Sequence, residues 1–163
     1  MTKKAAGRTY AEVMALAKPR ETVVKLCVDG QLAAEADRLS DELAALKEKP
    51  GASLADGAAR AEVQSELDEI AALMREAEVE FRFRALPPKE YSDLFAKHPA
   101  RAGKQEEWNP ETAAPALVAA CAIEPEMTLP EVEGLFAVLN EHGRAVLWSG
   151  AWRANQAPTS IPS

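Results

Sequence analysis

The sequence predicts a mainly α fold with a small antiparallel β ribbon (α+β). A long antiparallel helical hairpin is inserted between the two strands of the ribbon, and a C-terminal helical bundle follows. Two successive series of apolar residues, spaced alternately by four and three, predict the paired helices: Leu32, Ala36, Leu39, Leu43 and Leu46, then Val63, Leu67, Ile70, Met74 and Ala77. Strand patterns flank the two series at 22–28 and 79–85, and in the second of these apolar and charged residues alternate.

The first element is a short helix predicted over residues 10–17. Thr9 precedes it as N-cap, and Glu12 stands three residues later, at the position that completes a capping box. Pro19 disfavours helical backbone at the residue before it and so ends the helix. Its apolar stripe is Tyr10, Val13, Met14 and Ala17.

The hairpin follows the first strand. Pro50 and Gly51 stop its first helix, because proline has no N–H to donate and glycine opens the turn. The tip, residues 50–57, is predicted to be a solvent loop. With roughly 18 residues in each helix, the arm would project about 27 Å. Antiparallel helices return the chain to its starting point, so the flanking strands should pair antiparallel.

Four helical signals follow the second strand. Pro87 or Pro88 opens a helix that ends before His98, and the charged residues 100–107 predict a linker. Asn109 caps the next helix, whose inner face is predicted to include Leu117, Val118, Cys121 and Ala122. Thr128 caps a third helix, with Glu131 completing a capping box. Residues 140–143 predict a turn before the last helix, which carries Val146, Leu147, Ala151 and Trp152.

These signals divide the chain into five segments. They are a disordered N-terminus at 1–8, an N-terminal region at 9–99 with the hairpin at 30–78, a linker at 100–107, a C-terminal helical region at 108–156 and a flexible tail at 157–163.

The composition of the chain argues against two kinds of partner, nucleic acids and membranes. A net charge of −7 and a pI near 5.0 argue against a nucleic-acid partner, which requires a basic surface. No apolar run approaches the ~20 residues that span a bilayer, and the amino terminus lacks the apolar segment of a secretory signal, so no membrane partner is expected. Cys27 and Cys121 are expected as buried small hydrophobes in a reducing cytoplasm, with a disulfide as the less favoured alternative.

No catalytic, metal or cofactor site is predicted. His98 and His142 stand alone, without the neighbouring ligands that a metal site needs. Ser149 lies inside a helical pattern rather than on a nucleophile elbow. The sequence therefore predicts that the protein is not an enzyme and uses no cofactor.

Three features are candidate partner-binding surfaces. The first is the hairpin arm, whose alternative interpretation is a self-contained coiled coil. The second is the aromatic set Phe136, Trp148 and Trp152, which at helical spacing is also typical of a core. The third is Arg82 and Arg84 on the outer face of the second strand, opposite Glu78 and Glu80, where mixed charges also protect a sheet edge.

Several motifs follow one another in a defined order along the chain. They are TVVKLCVDGQLAAE at 22–35, AEVEFRFRALPPKEY at 77–91, His98-Pro99, WNPET at 108–112, APALVAAC at 114–121, EPEMT at 124–128 and LWSGAWRAN at 147–155. Their order resembles that of the tail assembly chaperones of long-tailed (siphovirus-type) phages that infect actinobacteria. The hairpin tip at 50–59 departs from this resemblance, because it matches no signature of that family.

The resemblance implies a non-catalytic function. Such chaperones coat the tape measure protein, keep its apolar surface soluble while tail tube subunits polymerise around it, and are absent from the mature virion. Their expected location is the host cell cytoplasm. A longer frameshifted form and further copies of the chain itself are additional candidate partners. Two rival interpretations remain: a structural virion subunit, such as a tail connector or completion protein, and a helical-hairpin adaptor unrelated to phage.

Overall fold

The structure, a computed structural model, describes residues 7–49 and 53–163. These residues form seven helices and three strands, which confirms the predicted mainly α fold with a small antiparallel sheet. Residues 1–6 of the predicted disordered N-terminus lie outside the described residues. In chain order the elements are α1 Tyr10–Leu16, β1 Glu21–Cys27, α2 Gly30–Glu48, α3 Leu54–Glu76, β2 Glu78–Arg84, α4 Pro88–Ala96, α5 Pro110–Cys121, β3 Ala122–Glu124, α6 Leu129–Val138 and α7 Glu141–Gln156.

The sheet has three strands in the order β1-β2-β3, all antiparallel to their neighbours. The predicted pairing of the first two strands is confirmed, with Val24 opposite Phe81. The prediction of a two-stranded ribbon is wrong, because Ala122 leaves α5 and pairs with Phe83 as the start of β3. A strand of three residues is too short to show a period of its own, so only its pairing with β2 defines it.

The hairpin arm is present between β1 and β2, as predicted. Its helices pack chiefly on each other and form a core separate from that of the body. The residues of this core are Leu39, Leu43 and Val63, with Leu46, Leu67 and Ile70 partly buried around them. The 23 residues of α3 extend about 34 Å, which exceeds the predicted 27 Å.

The hairpin tip differs from its prediction. The α3 helix already begins at Leu54, so residues 54–57 are helical rather than part of a solvent loop. Ser53 is the N-cap, and its side chain accepts a hydrogen bond from the Asp56 backbone N–H, while the Asp56 carboxylate accepts one from the Ser53 N–H. This capping box lengthens the helix by a full turn. Pro50, Gly51 and Ala52 lie outside the described residues.

The other predicted N-caps are confirmed, with one boundary moved. Thr9 and Thr128 form capping boxes with Glu12 and Glu131, and Asn109 caps α5. The turn predicted at 140–143 is wrong beyond its first residue, because Asn140 is the N-cap of α7 and the helix begins at Glu141.

The body core lies between the inner face of the sheet and helices α5 and α7. Phe83, Leu117 and Leu147 are completely buried in it. Helix α7 approaches the sheet closely at Gly150, where an added Cβ would lie 2.8 Å from two ring carbons of Phe83. At the same crossing the buried hydroxyl of Thr22 donates a 2.6 Å hydrogen bond to the Gly150 carbonyl.

The segment at 100–107, predicted to be a linker, is a closed loop between α4 and α5. Pro99 and Trp108 form an isolated antiparallel bridge, and the Asn109 N–H donates to the His98 carbonyl at 2.9 Å. Inside the loop the Glu106 carboxylate accepts hydrogen bonds from the backbone and guanidinium of Arg101 at 2.9 and 3.0 Å. The loop thereby places Trp108 against the last helix.

Candidate partner-binding surfaces

Five aromatic side chains form one continuous group, which we call the aromatic cluster: Tyr91, Phe95, Trp108, Trp148 and Trp152. The ring centroids of Trp148 and Trp152 on α7 are 5.3 Å apart, and Trp108 lies 5.5 Å from the first and 6.1 Å from the second. Phe95 is 5.0 Å from Trp108, and Tyr91 is 4.8 Å from Phe95. All five are half-buried. The cluster therefore joins α4, the 100–107 loop and α7, and leaves part of each ring at the surface.

The structure divides the aromatic set predicted from the sequence. Trp148 and Trp152 belong to the aromatic cluster, whereas Phe136 has no ring neighbour in it. Trp108 was not among the predicted site residues, because its proximity to the other rings depends on the closure of the loop. The available signal in the sequence was its position directly before the capping residue Asn109, because a residue at the start of a helix has a defined place in the fold.

A groove between α5, α6 and α7 brings Phe136 and Trp148 to the same surface. We call it the α5–α7 groove, and its volume is about 590 Å³. Apolar side chains form most of its lining, and charged side chains stand at its edge. The lining residues are Pro110, Glu111, Ala114, Pro115, Phe136, Glu141, Arg144, Ala145 and Trp148.

The groove continues beyond Phe136. A second depression of about 260 Å³ shares Pro115, Phe136 and Arg144 with it and adds Glu133 and Ala137 on the exposed side of α6. Phe136 thus lies where the two depressions meet. An elongated apolar path with charged edges results, which is the shape that an amphipathic helix can occupy.

The charges along this surface are mostly paired. Arg144 contacts Glu141 across one turn of α7, and Glu111 lies 3.0 Å from Arg101. The hydrogen bonds from Arg101 lower the pKa of Glu106 to about 2. The groove therefore has exposed ion pairs at its edge.

Arg82 and Arg84 lie on the other side of the sheet. Residues alternate between the two faces of a strand, so both arginines face away from the buried rings of Phe81 and Phe83. Arg84 pairs with Glu21 at 2.8 Å. The structure does not bring either arginine together with the aromatic residues.

The predicted opposition of these arginines to Glu78 is wrong. The register places Cys27 opposite Glu78 and Glu21 opposite Arg84. Arg82 lies 3.8–3.9 Å from Glu21, Glu80 and Glu124. Exposed pairs of this kind contribute little to stability, and they neutralise the outer face of the sheet.

The apolar side chains of α1 are exposed. Tyr10 is 79% exposed, Val13 48%, Met14 54% and Leu16 61%. The predicted stripe of Tyr10, Val13, Met14 and Ala17 stays a prediction, because no residue of α1 is buried and Ala17 follows the helix as its C-cap.

Within 7–49 and 53–163, no three His, Cys, Asp or Glu side chains are grouped so that they could hold a metal ion. Cys121 is buried, and burial raises the pKa of its thiol. The expectation that Cys27 is also buried is wrong, because it is half-buried at the end of β1 on the outer face of the sheet. Both thiols are free.

None of the helices in the described part of the chain combines the length and the apolar character needed to cross a membrane.

No family model matches the chain, and no match is found among curated proteins or solved structures.

Proposed function

We propose that this protein is a non-catalytic tail assembly chaperone that binds the phage tape measure protein and keeps it soluble while the tail tube polymerises. The observation that supports this proposal most directly is the α5–α7 groove. It presents Phe136 and Trp148 half-exposed on one apolar surface with charged edges. A long helical client has repeated apolar stripes, and each stripe needs a cover of this kind until the tube encloses it.

The groove suits binding of one client helix at a time. Apolar side chains of the client would lie against Ala145, Phe136 and Trp148, and its basic side chains would lie near Glu111 and Glu133 at the edges. A basic side chain above the face of Trp148 would gain a further ~0.5–2 kcal/mol.

The affinity expected from one groove is low. Covering half of two large aromatic side chains removes roughly 200 Å² from water, worth about 5 kcal/mol at ~25 cal/mol per Å². The loss of rotational and translational freedom on association costs at least ~4 kcal/mol. A single contact is therefore weak, and stable coverage needs several copies along one client. Weak individual contacts also allow tube subunits to displace the chaperone in turn.

The arm has a different role in this proposal. The apolar seams of α2 and α3 are buried against each other, so they are not available to a client. The outer surface of the arm is largely charged and carries the ion pairs of Arg38 with Glu35 and Glu42. We therefore assign client contact to the C-terminal helices. In this proposal the arm only orients the body.

Co-expression with the tape measure protein tests the function. The soluble fraction of the client is measured with wild-type chaperone, with Phe136→Asp and with the matched control Val138→Asp. Val138 is on the same helix but is 80% exposed and does not line the groove. We expect the client to be soluble with wild type and with the control, and to precipitate with Phe136→Asp. Thermal unfolding of each variant establishes that it is folded.

Three outcomes would contradict the proposal. A client that is equally soluble with and without this protein has no need of it as a chaperone. Mass spectrometry of purified particles addresses the structural rival, since a connector or completion subunit is retained in the virion and a chaperone is not. The adaptor rival predicts that tube and tape measure genes are absent from the genomic neighbourhood.

A further inference from the structure

The two edges of the sheet differ in length and regularity. One edge is β3, which has three residues, pairs with β2 through a register shift between Arg82 and Phe83 and is followed by Pro125. Short strands, irregular pairing and prolines protect an edge from pairing with another chain. The other edge is β1, whose seven residues pair with β2 in an unbroken register and include no proline. The β1 edge is therefore long and regular enough to accept a further strand, whereas the β3 edge is not.

Every second residue of β1 directs its backbone groups toward the open side. At the two ends of the ladder, the Ala85 N–H donates to the Arg20 carbonyl at 2.8 Å, and the Val28 N–H donates to the Ala77 carbonyl at 3.1 Å. In an antiparallel ladder, residues that bond to the neighbouring strand alternate with residues that face away from it. The odd-numbered residues of β1 therefore direct their N–H and C=O groups outward: Glu21, Val23, Lys25 and Cys27. No backbone hydrogen bond from elsewhere in the described chain satisfies these groups.

The side chains along this edge are accessible. The helix that packs most extensively on β1 is α7, and it lies on the inner face, with Gly150 next to Val24. On the outer face Val23 is 44% exposed, and Glu21 and Lys25 on either side of it are exposed. The edge therefore presents an apolar centre between one acidic and one basic side chain.

This order of side chains is complementary to itself. If two β1 strands pair antiparallel about a two-fold axis at Val23, the two Val23 side chains face each other and each Glu21 lies opposite the Lys25 of the other copy. Opposite charges across a strand pair are stabilising. Lys25 has no ion pair in the described part of the chain. Glu21 contacts Arg84 through Oε1 at 2.8 Å, and its Oε2 lies 3.8 Å from Arg82, so a lysine can still approach this carboxylate.

Other symmetric registers lack this complementarity. An axis at Lys25 places the two lysines opposite each other, and an axis at Glu21 does the same with the two carboxylates, which is destabilising. An axis at Val24 places Lys25 opposite Val23 and brings no opposite charges together. The sequence of β1 therefore favours the register about Val23.

The same pairing would bring the two α7 helices together. Gly150 lies above β1 and β2, against Val24 and Phe83. Because neighbouring strands are about 4.8 Å apart, the two helices would lie about 10 Å apart at this crossing, a distance at which helices pack. The side of α7 turned away from Trp148 carries the half-buried Val146 and the exposed Arg153, whose long side chain can extend into solvent. The interface would thus contain a helix pair as well as a strand pair.

We propose that two copies of this chain pair through β1, antiparallel about a two-fold axis at Val23, and so join their three-stranded sheets into one continuous sheet. The contact is isologous, because the same strand contributes from both copies. About six main-chain hydrogen bonds, made by Glu21, Val23 and Lys25 of each copy, supply most of the affinity. Association stops at two copies, because both open edges are then used. The proposal concerns only this chain and does not rest on the identity of any client.

Val23→Pro blocks the edge without removing a bond inside the monomer. The Val23 N–H points away from β2, and proline is tolerated at such a position of an edge strand. The variant loses the central bonds to the second copy, and the ring obstructs its approach. Circular dichroism with thermal unfolding verifies that the variant is folded.

Sedimentation velocity at protein concentrations up to about 1 mM measures association. We expect wild type to form dimers, and Val23→Pro and Lys25→Glu each to have an apparent Kd at least about tenfold higher. Lys97→Glu is the matched control for the second variant, because it makes the same change of charge at an exposed position after α4. This control should dimerise like wild type.

A pair of charge variants tests the register. Glu21→Lys leaves only basic side chains along the edge, and Lys25→Glu leaves only acidic ones. Each variant should dimerise poorly by itself. In a mixture every basic position of one copy meets an acidic position of the other, so the two variants should bind each other at least about tenfold more tightly than either binds itself.

Hydrogen exchange of single amides identifies what occupies the edge. In dilute wild type the amides of Val23 and Lys25 should exchange fast and those of Val24 and Leu26 slowly, and in the dimer all four should be slow. A wild type that stays monomeric, association that survives Val23→Pro, or a mixture of charge variants that binds no more tightly would each overturn the proposal. Slow exchange of Val23 and Lys25 in a monomer would show that the chain covers its own edge. Slow exchange only after addition of the tape measure protein would show that a client strand occupies it. Both results would overturn the proposal too.

Discussion

Replacing Gly150 by alanine tests how closely α7 approaches the sheet. The added Cβ would lie 2.8 Å from Cδ2 and Cε2 of Phe83 and 3.0 Å from Cγ1 of Val24. Phe83 is completely buried, so its ring can move away only by shifting the residues around it. Overpacking of this kind costs about 1–3 kcal/mol, whereas the gain in helix propensity is about 1 kcal/mol. We expect Gly150→Ala to lower the free energy of unfolding by up to ~2 kcal/mol.

Gly134→Ala is the matched control. Gly134 lies in the interior of α6, and a Cβ there would meet no atom within 4 Å. The same substitution should therefore stabilise the protein by about 0.5–1 kcal/mol. The helix-propensity gain is common to both variants, so the difference between them isolates the steric cost at Gly150.

Thermal unfolding followed by circular dichroism and tryptophan fluorescence measures both variants. Near the unfolding temperature each kcal/mol corresponds to about 2–4 °C for a domain of this size. The Gly134 variant should thus melt several degrees above the Gly150 variant. If the two variants have equal stability, or if Gly150→Ala is the more stable, the close packing of α7 on Phe83 is refuted.

Three further predictions concern the arm, the thiols and the acid range. Leu39→Ala removes a side chain that is 1% exposed and should cost about 2–5 kcal/mol in the arm alone. Hydrogen exchange should rise in α2 and α3 but not in α5 and α7. The control Leu73→Ala, at a 46% exposed position of α3, should change little, and a uniform rise through the whole chain would contradict a separate arm core. Native alkylation should modify Cys27 well before Cys121, because Cys121 is buried and its pKa is raised; equal rates would contradict this difference. The lowered pKa of Glu106, about 2 against an ordinary 4.5, contributes stability that is present above pH 4.5 and is lost as the pH falls toward 2. Urea unfolding between pH 2 and 6 should show a shallower acid dependence for Glu106→Gln, and an unchanged slope would show that the Arg101 pair does not persist in solution.

The sequence determined the elements that depend on local interactions. The arm is predicted by two apolar series that follow each other directly in the sequence. The spacing of these residues therefore identifies the buried seam around Leu39 and Val63. The N-caps at Thr9 and Thr128 each depend on four consecutive residues. The second strand is evident because its alternation persists over seven residues.

Only the tertiary structure decided where distant segments meet. The three residues of β3 acquire their conformation from β2, which lies about forty residues earlier in the chain. Trp108 joins the aromatic cluster because the loop after α4 closes on itself, whereas Phe136 on α6 has no ring neighbour in that cluster. Periodicity identifies the apolar side of a helix but does not identify what covers it, since that depends on contacts between residues far apart in sequence. The aromatic cluster and the α5–α7 groove are therefore properties of the assembled fold.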